Sequence, residues 1–137
     1  MSKLAVVYWS GTGNTEAMAN FVADGARGAG AEVEVISASN FTPSMISSYD
    51  GFAFGCPSMG AEQLESSEFE PMWESVKDGL NGKKVTLFGS YDWGVGEWME
   101  TWKASASGDV LGTVICNREP DAQAEADCRL LGEKLAN

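Results

Sequence analysis

The sequence predicts an α/β domain of three layers, in which a parallel sheet is covered by helices on both faces. Apolar segments of strand length alternate with segments of helical periodicity along all 137 residues. Several of the apolar segments contain no charged residue, as expected for strands that are buried on both faces. No internal repeat, linker or low-complexity segment interrupts the alternation. We therefore expect a single domain over residues 1–137.

Five strands are predicted, each from an apolar run. The first run, from Leu4 to Trp9, contains no charged residue and ends at a Gly-containing turn. In chain order the strands are expected at 3–9, 32–37, 51–56, 84–89 and 110–116.

Helices are predicted between the strands from apolar residues that recur on one face. The first helix, at 14–28, carries Met18, Val22 and Ala26 at four-residue steps. The connection around 43–48 is short and has weak helical character.

The third helix is predicted at 68–80, with Pro71 in its first turn. Ser67 and Glu70 are placed to cap its amino end. Two more helices are expected at 97–106 and 121–135.

The composition is strongly acidic. Nine basic and twenty acidic residues give a formal charge of −11, and residues 28–76 contain no Lys or Arg. Such a surface repels nucleic acids and anionic membranes, and it steers basic proteins toward itself. No apolar stretch approaches membrane-spanning length, and Met1-Ser2-Lys3 leads directly into a strand, which is unlike a signal peptide.

Cysteine and histidine usage argues against metal binding and nucleophilic catalysis. Cys56, Cys116 and Cys128 form no C-x-x-C pair, and they leave an odd cysteine out. We interpret all three as core residues of a protein in a reducing cytoplasm. Histidine is absent, which removes the commonest general base and metal ligand. No catalytic residue and no metal ligand are predicted.

The first strand runs into a turn with the character of a phosphate site. Ser10-Gly11-Thr12-Gly13-Asn14-Thr15 combines two glycines with hydroxyl and amide side chains, and a helix follows. Backbone N–H groups converge at such a helix start, where the dipole favours an anion. No Lys or Arg is present in the turn, which suggests that the phosphate is an anchor rather than a reacting group.

The loops after the third and fourth strands carry side chains suited to a flat ligand. Met59 follows the third strand, and Tyr91 and Trp93 follow the fourth. A planar aromatic ring fits between Met59 on one side and Trp93 or Tyr91 on the other. Glu62 is then placed to accept a hydrogen bond from an imide N–H.

Three segments together resemble the short-chain flavodoxins over essentially the full length. They are Tyr8-Trp9-Ser10-Gly11-Thr12-Gly13-Asn14-Thr15-Glu16, Gly55-Cys56-Pro57-Ser58-Met59-Gly60, and Gly89-Ser90-Tyr91 with Trp93-Gly94. The resemblance implies a flavodoxin-like fold with strand order 2-1-3-4-5 and FMN where the winding reverses, between the first and third strands.

The resemblance also implies a low-potential one-electron carrier. Noncovalent FMN would shuttle between semiquinone and hydroquinone and serve basic surfaces of reductases and oxidoreductases, with the protein a cytoplasmic monomer. Met59 and Trp93 would flank the ring, Glu62 would bind N3, and the peptide after Met59 would rotate on reduction, which Gly60 permits. The predicted FMN-binding residues are Trp9, Ser10, Gly11, Thr12, Gly13, Asn14, Thr15, Pro57, Ser58, Met59, Gly60, Ala61, Glu62, Ser90, Tyr91, Asp92, Trp93 and Gly94.

One residue departs from the pattern of this family. Asp92 stands between Tyr91 and Trp93, where relatives commonly have glycine. We expect its carboxylate to lower the potential of the second flavin couple. Replacement by glycine would then raise that potential.

Two alternatives remain open on the same fold. One is an NAD(P)H-dependent flavin or quinone reductase, which needs room beside the flavin that a stacked Trp93 would block. The other is a flavin-binding protein without redox function. A dinucleotide-binding enzyme is a weaker match, because Glu16 stands where the third glycine of G-x-G-x-x-G belongs.

Overall fold

The computed structural model describes residues 2–137 and confirms the predicted alternation. In chain order the strands and helices are β1 (Lys3–Tyr8), α1 (Asn14–Gly28), β2 (Glu32–Ser37), β3 (Gly51–Gly55), α2 (Phe69–Val76), β4 (Lys84–Tyr91), α3 (Glu97–Ser105), β5 (Asp109–Asn117) and α4 (Ala122–Ala136). Short 3-10 turns occupy Ala38–Asn40, Pro43–Ser48 and Lys77–Gly79. No helix within residues 2–137 combines the length and the apolar character needed to cross a membrane.

The five strands form one parallel sheet in the order β2-β1-β3-β4-β5, as predicted. Alternate residues of β1 point to opposite faces and enter different cores. Ala5 and Val7 belong to the core beneath α2 and α3, which is rich in Trp and Phe. Leu4 and Val6 belong to the core beneath α1 and α4, which is built mainly from aliphatic residues. The three-layer architecture follows from this division.

The start of α2 differs from the prediction. The helix begins at Phe69, and the N-terminal groups are satisfied by Glu65 rather than by Ser67 or Glu70. The Glu65 carboxylate accepts hydrogen bonds from the backbone N–H groups of Ser67, Glu68 and Phe69, each at 2.8 Å, and from the Ser67 hydroxyl. The helix also ends earlier than predicted, at Val76, and a 3-10 turn follows.

The carboxyl ends of β1, β3 and β4 meet at one edge of the sheet. The Trp9 N–H donates to the Gly55 carbonyl at 3.0 Å, and the Ser58 N–H donates to the Ser90 carbonyl at 3.0 Å. Strand β4 continues to Tyr91, two residues beyond the prediction. The loops that follow these three strands are therefore held side by side.

Candidate functional site

A cleft opens between these three loops. It brings together residues that the sequence assigns to three separate segments. Its walls are formed by Trp9, Ser10, Gly11, Thr12, Asn14, Thr15, Pro57, Ser58, Met59, Ser90, Tyr91 and Asp92. No Lys or Arg lines the cleft, and Asp92 is its only charged side chain.

The first loop is shaped by its own hydroxyl groups. Ser10 Oγ accepts hydrogen bonds from the N–H groups of Gly13 at 3.1 Å and Glu16 at 3.2 Å. Gly13 adopts a φ of 98° at the start of α1, a left-handed conformation that glycine reaches without steric cost. The oxygen of Ser10 therefore fixes the backbone conformation of the loop. Within residues 2–137 its O–H donates to no protein acceptor.

Several amides of this loop have no protein partner. Within residues 2–137, the N–H groups of Gly11, Thr12 and Thr15 donate to no protein acceptor. Together with the positive end of the α1 dipole, they form a set of donors suited to a phosphate monoester. The donor chemistry thus fits the 5'-phosphate of a mononucleotide, and the fit requires no cationic side chain.

A buried pair of hydroxyl groups joins the first loop to the end of β4. Thr15 Oγ1 lies 3.0 Å from Ser90 Oγ, and the Ser90 N–H donates to Thr15 Oγ1 at 3.4 Å. Both residues are at most 5% exposed. The predicted site residues Thr15 and Ser90 therefore hold the floor of the cleft together.

The loop after β3 is a tight turn closed by two hydrogen bonds. The Met59 N–H donates to the Gln63 carbonyl at 2.7 Å, and the Gln63 N–H donates to the Met59 carbonyl at 2.9 Å. Gly60, inside the turn, has a φ of 54° and open space where a Cβ would stand. The Met59 side chain remains 39% exposed at the mouth of the cleft.

Tyr91 and Trp93 differ in their surroundings. The Tyr91 ring lies 5.7 Å from the Trp98 ring and packs on the aromatic core. Trp93 is 63% exposed, although it is a large apolar residue and does not line the cleft wall itself. An exposed indole beside a cleft is available to cover a flat ligand, whereas Tyr91 lines the cleft and packs against Trp98.

The side chain of Glu62 turns toward α3. Its Oε1 atom accepts hydrogen bonds from the N–H groups of Gly96 at 3.0 Å and Glu97 at 2.8 Å. The residue itself has a φ of 54°. Glu62 therefore stabilises the amino end of α3, and its role toward a ligand remains a prediction.

Two residues that the sequence reasoning missed lie at the end of β5. Asn117 Nδ2 donates to the carbonyls of Tyr91 at 3.1 Å and Asp92 at 3.3 Å, and the Arg118 N–H donates to the Tyr91 carbonyl at 2.7 Å. The Arg118 Nε atom also lies 3.8 Å from Asp92 Oδ1. The signal in the sequence is a polar Asn-Arg pair at the end of the fifth apolar run.

The three cysteines are free and have the character of core residues. Burial raises the pKa of the Cys56 thiol far above its ordinary value. Burial also raises the pKa of Cys116 to about 11 and that of Cys128 to about 12. None of them is a thiolate at neutral pH, which fits their interpretation as packing residues.

Comparison with known proteins gives one consistent family. The sequence model of the flavodoxin family matches residues 6–129. The flavodoxin of Megasphaera elsdenii is 47% identical over 134 residues, which is 96% of each chain, and that of Clostridium beijerinckii is 44% identical over 138 residues, or 98% of this chain and 99% of the relative. The solution structure of two-electron reduced Megasphaera elsdenii flavodoxin superposes with a TM-score of 0.88 and 45% identity, covering 97% of this chain and 98% of the other.

Proposed function

Since this chain belongs to the flavodoxin family, we propose that it is a low-potential carrier of single electrons that works between the one-electron and two-electron reduced forms of FMN. Flavodoxins are FMN-binding electron-transfer proteins rather than enzymes. When bound, FMN supplies the redox chemistry, and the polypeptide supplies binding, orientation and a tuned electrostatic environment.

The observation that carries this proposal is the set of backbone N–H groups in the first loop that have no protein acceptor, next to the exposed side chains of Met59 and Trp93. The first loop, with Ser10, Thr12, Asn14 and Thr15, would hold the phosphate through its N–H groups and hydroxyls. Met59 and Trp93 would cover the two faces of the ring. The predicted residues that do not line the cleft belong to the same three loops; they are Gly13, Gly60, Ala61, Glu62, Trp93 and Gly94.

The environment of the site supports a low potential. Reduction adds negative charge to a group that would lie beside its own phosphate and Asp92, in a cleft without a basic residue. A single carboxylate about 10 Å away opposes each added charge by ~0.4 kcal/mol in water and ~1.7 kcal/mol at an effective dielectric near 20. The acidic surface would also attract basic redox partners.

We further propose that residues 1–137 act as one domain in a cytoplasmic monomer. The net charge of −11 opposes self-association, and the free, protonated cysteines suit a reducing compartment. Native mass measurement tests the monomer directly.

Anaerobic titration with dithionite, followed by visible absorbance, tests the carrier function. A carrier passes through a distinct one-electron species before the second electron enters. A single two-electron transition would contradict the proposal and favour a flavin-binding protein without redox function. Rapid bleaching on mixing with NADPH would instead favour a reductase.

Binding of FMN and of riboflavin to the apoprotein tests the cradle. Because riboflavin lacks the phosphate, we expect it to bind at least tenfold more weakly than FMN. Equal affinities would show that the first loop does not hold the phosphate.

A further inference from the structure

We propose that Arg118 tunes the flavin potential by offsetting the charge of Asp92, the one charged side chain in the wall of the cleft. This inference rests on the proposed carrier function. Although Arg118 lies outside the cleft, its positive charge would keep the potential of the second flavin couple less negative than Asp92 alone would make it.

The backbone fixes the two residues close together. Strand β5 pairs with β4 up to Tyr91 and Asn117. The Tyr91 carbonyl then accepts from the Arg118 N–H at 2.7 Å and from Asn117 Nδ2 at 3.1 Å. Arg118 itself has a φ of 60°, which turns the chain sharply after the strand. The guanidinium is thereby brought to within 3.8 Å of the Asp92 carboxylate.

The placement of the other basic residues makes Arg118 exceptional. In a parallel α/β fold the helices run opposite to the strands, so the last turn of each helix lies at the amino edge of the sheet. Lys3 and Lys84 begin strands, and Lys83 precedes one. The remaining basic residues are Arg27, Lys103 and Lys134 in the last turns of helices, Lys77 directly after α2, and Arg129 within α4.

Arg118 is therefore the one basic residue of the nine that follows the carboxyl end of a strand. The same edge carries the carboxylates of Asp92 and of Glu97, which lies in the first turn of α3. Because Coulomb attraction weakens with distance, the positive charge of Arg118 offsets the nearest carboxylate, Asp92, most strongly.

The expected effect is electrostatic and depends on salt. Asp92 is 67% exposed and Arg118 is 73% exposed at the side chain, so ions in solution screen both charges. Without the cation, the second electron enters a more negative environment. The second reduction should then become less favourable at low ionic strength, and the difference should shrink at high ionic strength.

Potentiometry of FMN-loaded variants tests the proposal. In Arg118→Gln we expect the equilibrium constant of the second reduction to fall about threefold to tenfold at low ionic strength, where tenfold corresponds to ~59 mV for one electron. Arg118→Lys keeps the charge and should restore the wild-type value. Asp92→Asn should shift the couple in the opposite direction, and the double variant Asp92→Asn with Arg118→Gln should lie near wild type.

Lys103→Gln is the matched control, because it removes one positive charge from the last turn of α3 at the opposite edge. It should leave the potential unchanged. An Arg118→Gln potential equal to that of Lys103→Gln overturns the inference, as does an equal shift in Arg118→Gln and Arg118→Lys. In either case FMN binding and stepwise reduction of the wild type would still support the proposed function, so the two failures are distinguishable.

Discussion

Glu65 shows how one buried carboxylate determines where a helix begins. The residue is 5% exposed, and its burial acts to raise the pKa of the carboxyl. The hydrogen bonds from the Ser67 hydroxyl and from the N–H groups of Phe69, Glu68 and Ser67 outweigh burial, and the resulting pKa is lower than usual. The charged form of Glu65 is therefore part of the folded structure.

We predict that Glu65→Gln lowers the free energy of unfolding at pH 7 by about 1–3 kcal/mol, because a neutral amide accepts these bonds less strongly. A lowered folded-state pKa contributes stability above the unfolded value of about 4.3, and this contribution is lost as the pH falls through the folded pKa. Urea unfolding from pH 7 to pH 3 should show the variant and the wild type converging in acid.

Glu70→Gln is the control for that measurement, because it removes an exposed charge from the first turn of the same helix. Its effect should be a few tenths of a kcal/mol. A Glu65→Gln variant as stable as Glu70→Gln would rule out the capping role.

The backbone conformation of Gly60 is expected to affect both the stability of the protein and the flavin potentials. A Cβ there meets no atom within 4 Å, so alanine would be strained by the φ of 54° alone. We predict that Gly60→Ala costs about 1–2 kcal/mol of stability. We also expect the variant to destabilise the one-electron reduced form selectively, which lowers the potential of the first flavin couple and raises that of the second.

Gly82→Ala provides the comparison, since Gly82 has a φ of 81° and equally open space away from the cleft. It should lose similar stability in thermal unfolding and keep both potentials. Shifts of the two couples that are equal and in the same direction in Gly60→Ala would argue against a peptide rotation after Met59.

At the scale of elements, α1 and α4 pack so closely that glycine is required at their contact. A Cβ on Gly132 would stand 2.0 Å from the Val22 carbonyl oxygen, and one on Gly25 would stand 2.0 Å from that of Arg129. The neighbouring atoms belong to the backbone and have no rotamer by which to withdraw. This contact fixes the position of α1, and therefore the position of the loop at its amino end that borders the cleft.

We predict that Gly132→Ala destabilises the protein by about 1–3 kcal/mol or more, through overpacking. Calorimetry should show a melting temperature lower by several degrees. Gly28→Ala is the control, because Gly28 lies in α1, the partner helix of α4, and a Cβ there meets nothing within 4 Å. That variant should be as stable as the wild type or slightly more stable, and a similar loss in both variants would refute the close-packing argument.

At the scale of the whole molecule, the charges are distributed unevenly between the two edges of the sheet. Most basic residues lie at the amino edge, whereas the cleft opens at the carboxyl edge, which carries Asp92, Glu62 and Glu97. With a net charge of −11, we expect this arrangement to orient the molecule so that the cleft faces a basic partner. Fast and salt-sensitive electron transfer is the expected consequence.

We predict that the rate of electron transfer to cytochrome c, used as a basic probe, falls at least tenfold between 10 mM and 300 mM salt in stopped-flow measurements. Glu97→Gln, at the carboxyl edge, should reduce this salt dependence. Glu133→Gln, in the last turn of α4, should leave it unchanged. A rate that does not change with salt would contradict electrostatic orientation.

The sequence by itself determined the order of strands and helices along the chain, the glycine- and hydroxyl-rich turn before α1, and the loop after β4 that carries Tyr91 and Trp93. These features depend on residues that are neighbours along the chain, such as Ser10 to Thr15, so local pattern is sufficient. It also placed Met59 and Trp93 in loops at strand ends, where the structure leaves both side chains exposed.

Only the tertiary structure decided which distant groups meet. Glu62 holds the start of α3, 35 residues further along the chain, and Arg118 pairs with Asp92 across the β4–β5 edge. Each contact is set by how a loop folds back or which strands are adjacent, and side-chain spacing in the sequence carries no information about either. The alternation of strands and helices was therefore predictable from periodicity, and the order of the strands in the sheet followed from the resemblance to the flavodoxins. The electrostatic surroundings of the cleft became visible only when the strand ends were brought together.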